Sequence, residues 1–266
     1  MLTAKELIAL KGKTIFQYPF NEQTLKVIEN SQYRWFTLGG DAVQAIMSKG
    51  QPNTCVLPVP QALLIFLLWH NSAKSILNLG LGAGGLERTL MHNHNFDITA
   101  VERQPEIINM AKEYFALPDN VKTIADCAES FLAATKNSFD IIICDLYQQE
   151  ISPEALFTID FYLNISKRLN TKGCALVSLS VDSQQQLVEL LAKLKTLRLN
   201  LALIDFTDYK NIILIISKAP LPNKEKLSTT NKQKLNRTNI DFSHYIERMH
   251  IIPTLNAFVD PQQSEY

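Results

Sequence analysis

The sequence has no excess of charge, no long apolar run and no paired cysteine motif, and each absence removes a class of function. Lys plus Arg equals Asp plus Glu at 26 each over 266 residues. Nothing in that balance points to nucleic acid or to a membrane surface as a partner. The longest apolar stretch, Ala62 to Trp69, is far too short to cross a bilayer. The opening residues MLTAKELIAL lack a charged start, a long apolar core and a small-residue cleavage site. No secretion signal is expected there, and the cytoplasm is the expected location. Cys55, Cys127, Cys144 and Cys174 lie far apart and form no CxxC, which predicts reduced, mostly buried thiols. The Asn164 and Asn236 sequons then match the glycosylation pattern by chance.

What is present reads as an enzyme-like globular chain, with 46% hydrophobic and 20% charged residues. Its first part is short-stranded. Thr14–Tyr18, Thr24–Glu29 and Tyr33–Leu38 are rich in β-branched and aromatic residues and are separated by Asn21-Glu22 and Asn30-Ser31. They predict a small antiparallel meander that ends at Gly39-Gly40. A helix over about 60–70 follows, and Trp35 and Trp69 are expected to pack the contact between this part and the next.

From Ser75 the texture changes to alternating strands and helices. Strands are predicted at Ser75–Leu79, Asp97–Val101, Val121–Ile124, Asp140–Cys144 and Cys174–Leu179, each followed by a helical stretch. Such alternation argues for a parallel sheet with helices on both faces. Leu201–Ile204 and Ile212–Ser217 also read as strands, joined by about seven residues around Asp208. A parallel crossover needs about a dozen residues or more, so these two must be antiparallel. The expected fold is α/β: a doubly wound, mostly parallel seven-stranded sheet of methyltransferase type, with a small N-terminal β-rich domain. The expected division is 1–58 for the small domain, 59–218 for the α/β domain and 219–266 for a polar linker and helical tail. The polar stretch 219–239 predicts a mobile linker, and 240–252 a short helix.

The strongest local signal is Asn78-Leu79-Gly80-Leu81-Gly82-Ala83-Gly84-Gly85, placed after a strand and before a helix. Glycines there let the backbone turn sharply and let a ligand approach closely. Glu102 closes the next strand, where its carboxylate can accept hydrogen bonds from two ribose hydroxyls. Gly80, Gly82 and Gly85 also satisfy GxGxxG, so NAD is a competitor. The closing antiparallel hairpin and Asp126, in Ala125-Asp126-Cys127 after the third strand, favour S-adenosylmethionine instead. Asp126 can take the adenine amino group or cap the next helix. Asp145 follows the fourth strand at the carboxyl edge of the sheet, where ligands of open α/β sheets lie. It is the candidate general base or holder of a cationic amine. Tyr147 is a candidate for lining the pocket. Glu87, Arg88 and Arg103 read as solvated, and His92-x-His94 as a helix end rather than a metal site.

From about Ile76 to Leu179 the chain resembles the spermidine synthase family and its methyltransferase-like relatives. The glycine loop, Val101-Glu102, Asp126, Asp145 and the segment Pro153-Glu154-Ala155-Leu156-Phe157-Thr158-Ile159-Asp160-Phe161-Tyr162 carry the likeness. The resemblance implies a small β-domain before the nucleotide-binding domain and an adenosyl donor held by Gly80, Gly82, Ala83, Gly84, Glu102, Asp126, Cys127 and Asp145. Three departures alter the expected chemistry. Ala83 stands where polyamine-forming members carry an aspartate that pairs with the ammonium of decarboxylated S-adenosylmethionine. Gln148 replaces a second aspartate, three residues after Asp145, at the substrate-binding edge. The upstream Tyr-x-Glu has no counterpart, and no acid occurs between Asp41 and Glu87. A diamine is a dication, costly to desolvate without carboxylates.

The leading expectation is therefore an S-adenosylmethionine-dependent methyltransferase on a spermidine synthase-like scaffold, with Asp145 as the catalytic residue. The alternative is an aminopropyltransferase with an altered acceptor site, using the decarboxylated donor. A further alternative is a non-catalytic nucleotide-binding protein that acts through a partner. The expected partner is a small-molecule or protein acceptor, without nucleic acid, membrane or metal. A homodimer is compatible with the resemblance.

Overall fold

The computed structural model describes residues 2–20, 22–146, 152–207 and 209–253. The chain opens with a one-turn helix, α1 (Ala4–Ile8), closed by a reciprocal capping box between Thr3 and Glu6. Strands β1 (Lys13–Phe20), β2 (Gln23–Glu29), β3 (Tyr33–Leu38) and β4 (Val43–Ser48) then form an antiparallel meander in chain order. Asn30 makes the second turn because its side-chain oxygen accepts from the Gln32 and Tyr33 amides. The meander has one strand more than the sequence predicts. Gly39-Gly40 turns the chain into β4 instead of ending the sheet.

One face of this sheet is apolar and shares a core with the next domain. Phe20, Leu25, Val27, Phe36 and Met47 pack on Ala83, Ile107, Met110 and Phe115. Trp35, beside Phe36 in the same strand, points to the opposite face, where a Cβ on Gly12 would sit 2.6 Å from its ring. The expectation that Trp35 packs the domain contact is thus corrected. Trp69 packs on the core of the larger domain.

After the meander come α2 (Pro58–Leu63), started by Pro58, and a 3-10 turn at Ile65–Leu68. The alternation that follows is β5 (Ser75–Leu79), α3 (Gly85–Asn93), β6 (Asp97–Glu102), α4 (Pro105–Tyr114), β7 (Lys122–Ala125), α5 (Ala128–Ala134) and β8 (Phe139–Cys144). A 3-10 turn at Glu154–Phe157 then leads to α6 (Ile159–Arg168), β9 (Leu169–Ser180), α7 (Gln184–Lys195), β10 (Asn200–Asp205) and β11 (Asn211–Ser217). Their strands lie in the order β10-β11-β9-β8-β5-β6-β7. The pairs among β5 to β9 are parallel, and β11 is antiparallel to both β9 and β10.

Side chains along the central strands alternate between two cores, as period-two geometry demands. Ile141, Ile143 and Leu176 face α2, α3 and α4. Ile142, Cys144 and Val177 face α5, α6 and α7. Both faces are apolar because helices cover both, which explains the unbroken apolar runs of β8 and β9.

The C-terminal reading is corrected. Residues 219–239 hold α8 (Lys224–Thr238), capped by Asn223, whose side chain accepts from the Lys226 amide. Short α9 (Ser243–Glu247) and β12 (Met249–Ile252) follow. β12 pairs antiparallel with β10 and makes the sheet eight-stranded, one more than expected. The polar surface of α8 masks its few anchors. Leu227 and Asn231 are buried, and Asn231 donates to Asp241 and Ser243. Among the described residues no helix is long and apolar enough to cross a membrane.

Candidate functional site

The order of strands reverses between β5 and β8, and a crevice opens there at their carboxyl ends. Gly80, directly after β5, has φ +95°, and a Cβ on it would lie 2.4 Å from the carbonyl oxygen of Asp145. Only glycine lets the ends of β5 and β8 approach this closely. Gly82 has φ +53° and open space where a side chain would stand. Gly84 has φ +67°, is the left-handed N-cap of α3, and faces Leu117. Gly84 therefore shapes the loop and is absent from the cavity wall, where Gly85 stands instead.

Glu102 ends β6 beside this loop. Its two carboxylate oxygens accept from the Leu81 amide (3.2 Å) and the Gln104 amide (3.1 Å). Burial raises its pKa, against the lowering effect of these amides. Asp126 follows β7 and accepts from the Cys127 amide at 2.7 Å. It does not cap α5, whose N-cap is Cys127. The Cys127 thiol donates to Glu129 at 2.7 Å. Asp145 follows β8, with Oδ1 sealed from solvent and without a hydrogen-bond partner among the described residues. Burial pushes its pKa up to about 6, opposed by hydrogen bonding to Ser178 on β9. Ser178 in turn accepts from the Asn211 side chain at 3.2 Å.

Two residues expected at the surface are interior. Glu87 is 0% exposed and Arg88 3%. The Arg88 guanidinium donates to the carbonyls of Ala83 (2.5 Å), Phe115 (2.7 Å) and Pro52 (2.8 Å). It therefore ties the glycine loop, the end of α4 and the linker from the small domain together. Glycines at the start of α3 leave room for these side chains to fold inward, which a count of charges does not reveal. Arg103 is exposed, as expected. Nδ1 of His92 meets the Asn53 amide at 3.0 Å, His94 lies against Phe96, and no metal-ligand cluster occurs among the described residues. The four cysteines are free. Tyr147 and Gln148 lie outside the described residues.

Around these groups lies a cavity of about 500 Å³, a size suited to a nucleoside-bearing ligand. Gly80, Gly82, Ala83, Glu102, Asp126, Cys127 and Asp145 all line it. Sequence reasoning missed the opposite wall, which the small domain supplies through Phe20, Gln23, Phe36, Leu38 and Gln44. No motif marks these residues; only their place on one face of the meander brings them there. Among the described residues that wall holds no carboxylate, and Ala83, 2% exposed, packs in the same apolar cluster as Phe20 and Phe36.

The spermine/spermidine synthase domain matches residues 65–202 of the 266. The chain belongs to that family. It is 28% identical over 153 residues to a polyamine aminopropyltransferase of Chromobacterium violaceum, covering 56% of this chain and 59% of the relative. The chain thus spans little more than half of that protein's length. The fold is that of a probable spermidine synthase from Corynebacterium glutamicum, with a TM-score of 0.72, 20% identity, and 83% and 86% of the two chains covered. It is also that of human methyltransferase-like protein 13 in complex with SAH, with a TM-score of 0.56, 20% identity, and 75% and 92% covered. Family membership makes this chain a transferase-family protein with a spermidine synthase-like fold.

Proposed function

We propose that this protein is a methyltransferase that takes S-adenosylmethionine in the cleft and passes the methyl group to an acceptor without paired positive charges. The observation that carries this reading is Ala83 itself, a side chain without charge in the lining of the cavity. With alanine at position 83, this side chain offers no carboxylate to pair with a donor ammonium and none to repel a donor carboxylate.

The residues fit such a donor. Glu102 would accept from ribose hydroxyls, Asp126 would accept from an adenine amine, and Gly82 leaves open space beside the loop that a side chain would take up. Bound there, the sulfonium supplies an electrophilic methyl carbon. The chain's own task is then mostly positioning and exclusion of water. Asp145 would accept a proton from the acceptor, and a base with a pKa of about 6 does so near neutral pH.

The name of the relatives favours a second reading, aminopropyl transfer from the decarboxylated donor. Calorimetry with both donors separates the two. Tighter binding of S-adenosylmethionine, lost in Glu102→Ala, supports methyl transfer. Tighter binding of the decarboxylated form, with turnover of putrescine, overturns it.

A further inference from the structure

Beneath the glycine loop lies a polar pair that the donor site does not touch. Asn78 occupies a position of β5 whose neighbour two residues back, Ile76, belongs to the core on the α3 side. An apolar residue would be expected there, yet Asn78 is 1% exposed and Glu87 of α3 is 0% exposed. The Asn78 Nδ2 group donates to Glu87 Oε1 at 2.5 Å and to the carbonyl of Gly80 at 3.0 Å. The other two polar atoms, Asn78 Oδ1 and Glu87 Oε2, are buried and have no partner among the described residues. Both are acceptors when Glu87 is ionised, so neither can satisfy the other. A proton on Oε2 supplies the missing donor, and a carboxylic acid and an amide then match at two points.

We propose that Glu87 is a positioning residue that holds its proton in the folded protein, pairs as a neutral acid with Asn78, and thereby fixes the Gly80 carbonyl and the shape of the donor loop. Through this pair the donor site is sensitive to pH. When the proton leaves to solvent, a carboxylate oxygen and the amide oxygen of Asn78 are left buried together, and the hold on Gly80 loosens. The charged or titratable groups around Glu87 are Arg88 on its own helix, Glu102 at the end of β6, and Cys55 in the linker. Asp145 at the end of β8 acts on the same linker thiol. Arg88 is the one cation of this set, and its guanidinium is committed to three carbonyls. Burial, the largest influence, brings the Glu87 pKa up to about 7.

The effect on donor binding rests on the function proposed above, so two measurements are paired. Calorimetric titration with S-adenosylmethionine should show wild-type affinity falling roughly tenfold between pH 6 and pH 8. Glu87→Gln, which keeps the shape and supplies a permanent amide donor, should show a flatter profile over that range, with only the Asp145 titration left, while Glu87→Ala should be weak throughout. Asp145 titrates in all three proteins, so the difference between the profiles belongs to Glu87. An unchanged pH profile in Glu87→Gln overturns the proposal. The second measurement needs no ligand: the infrared difference between wild type and Glu87→Gln at pH 6 should contain the carbonyl stretch of a protonated carboxyl group. Absence of that band overturns the neutral pair even if the donor binds. If the band is present and no donor binds, the donor reading fails and the acid–amide pair stands.

Discussion

The buried guanidinium of Arg88 permits a quantitative test of how the cleft is held together. Arg88→Met keeps a long apolar stem in nearly the same space but removes every donor from three carbonyls. Each charge-assisted hydrogen bond contributes about 1.5–3 kcal/mol net, so three of them set a gross loss of roughly 4.5–9 kcal/mol. Against this stands the cost of holding a guanidinium away from water, which also lowers the Arg88 pKa; several kcal/mol of that cost is relieved. The expected net destabilisation is about 3 kcal/mol, or a melting temperature lower by roughly 6–12 °C for a chain of this size. Arg88→Lys should recover part of the loss, because one ammonium reaches fewer carbonyls than a planar fork. Calorimetric melting beside an exposed control, Arg103→Met, decides the matter. If Arg88→Met melts within 2 °C of wild type, Arg88 does not clip the three segments together and the argument from its burial fails.

Other outcomes follow from the same geometry. Gly80→Ala should lose at least about 2 kcal/mol of stability in urea titration, since a Cβ would clash with the Asp145 carbonyl at 2.4 Å from an unfavourable φ of +95°. Asp145 has its pKa raised to about 6 from 3.8, so its favourable contribution is complete below pH 3.8 and is lost as pH rises through 6. Asp145→Asn should accordingly be more stable than wild type at pH 7.5, by on the order of 2 kcal/mol, with little difference at pH 4 and loss of any base-dependent turnover. Ala83→Asp should weaken S-adenosylmethionine more than its decarboxylated form, an order-of-magnitude change in their affinity ratio corresponding to about 1.4 kcal/mol. Equal weakening of both would show that position 83 does not face the donor's charged end.

The alternating part of the fold was legible because its signals are local and repetitive. A helical stretch is expected after the strand Val121–Ile124, and α5 (Ala128–Ala134) stands there; the short connection around Asp208 likewise dictates the antiparallel β10–β11 pair. The donor side of the cleft was legible for the same reason, since Gly80, Glu102, Asp126 and Asp145 all sit at strand ends. Partner-dependent features were not. Leu227 and Asn231 are the buried anchors within a helix rich in Lys, Asn and Thr, so α8 read as a linker. β12 is four residues long, and its strand identity comes from pairing with β10. Glu87 and Arg88 look like surface charges until the turn at Gly84 aims the first turn of α3 inward. The wall that the β1–β4 sheet gives to the cavity is invisible in the sequence because two sheets, each set by its own pattern, meet there.

The closing segment of the chain places a condition on the order of assembly. Tyr245 of α9 donates to the side chain of Gln61, 184 residues earlier, and that amide donates to the carbonyl of Cys55 in the cavity wall. Lys234 of α8 reaches back to the carbonyl of Leu67 at 2.5 Å. During synthesis the helix at Pro58–Leu63 emerges long before these partners exist. Its packing on β9 and β11 can form once those strands emerge, but the hydrogen bonds from α8 and α9 come only later. Contacts of such sequence separation slow folding, and the exposed Leu63–Phe66 run is then the stretch most open to chaperones or to aggregation.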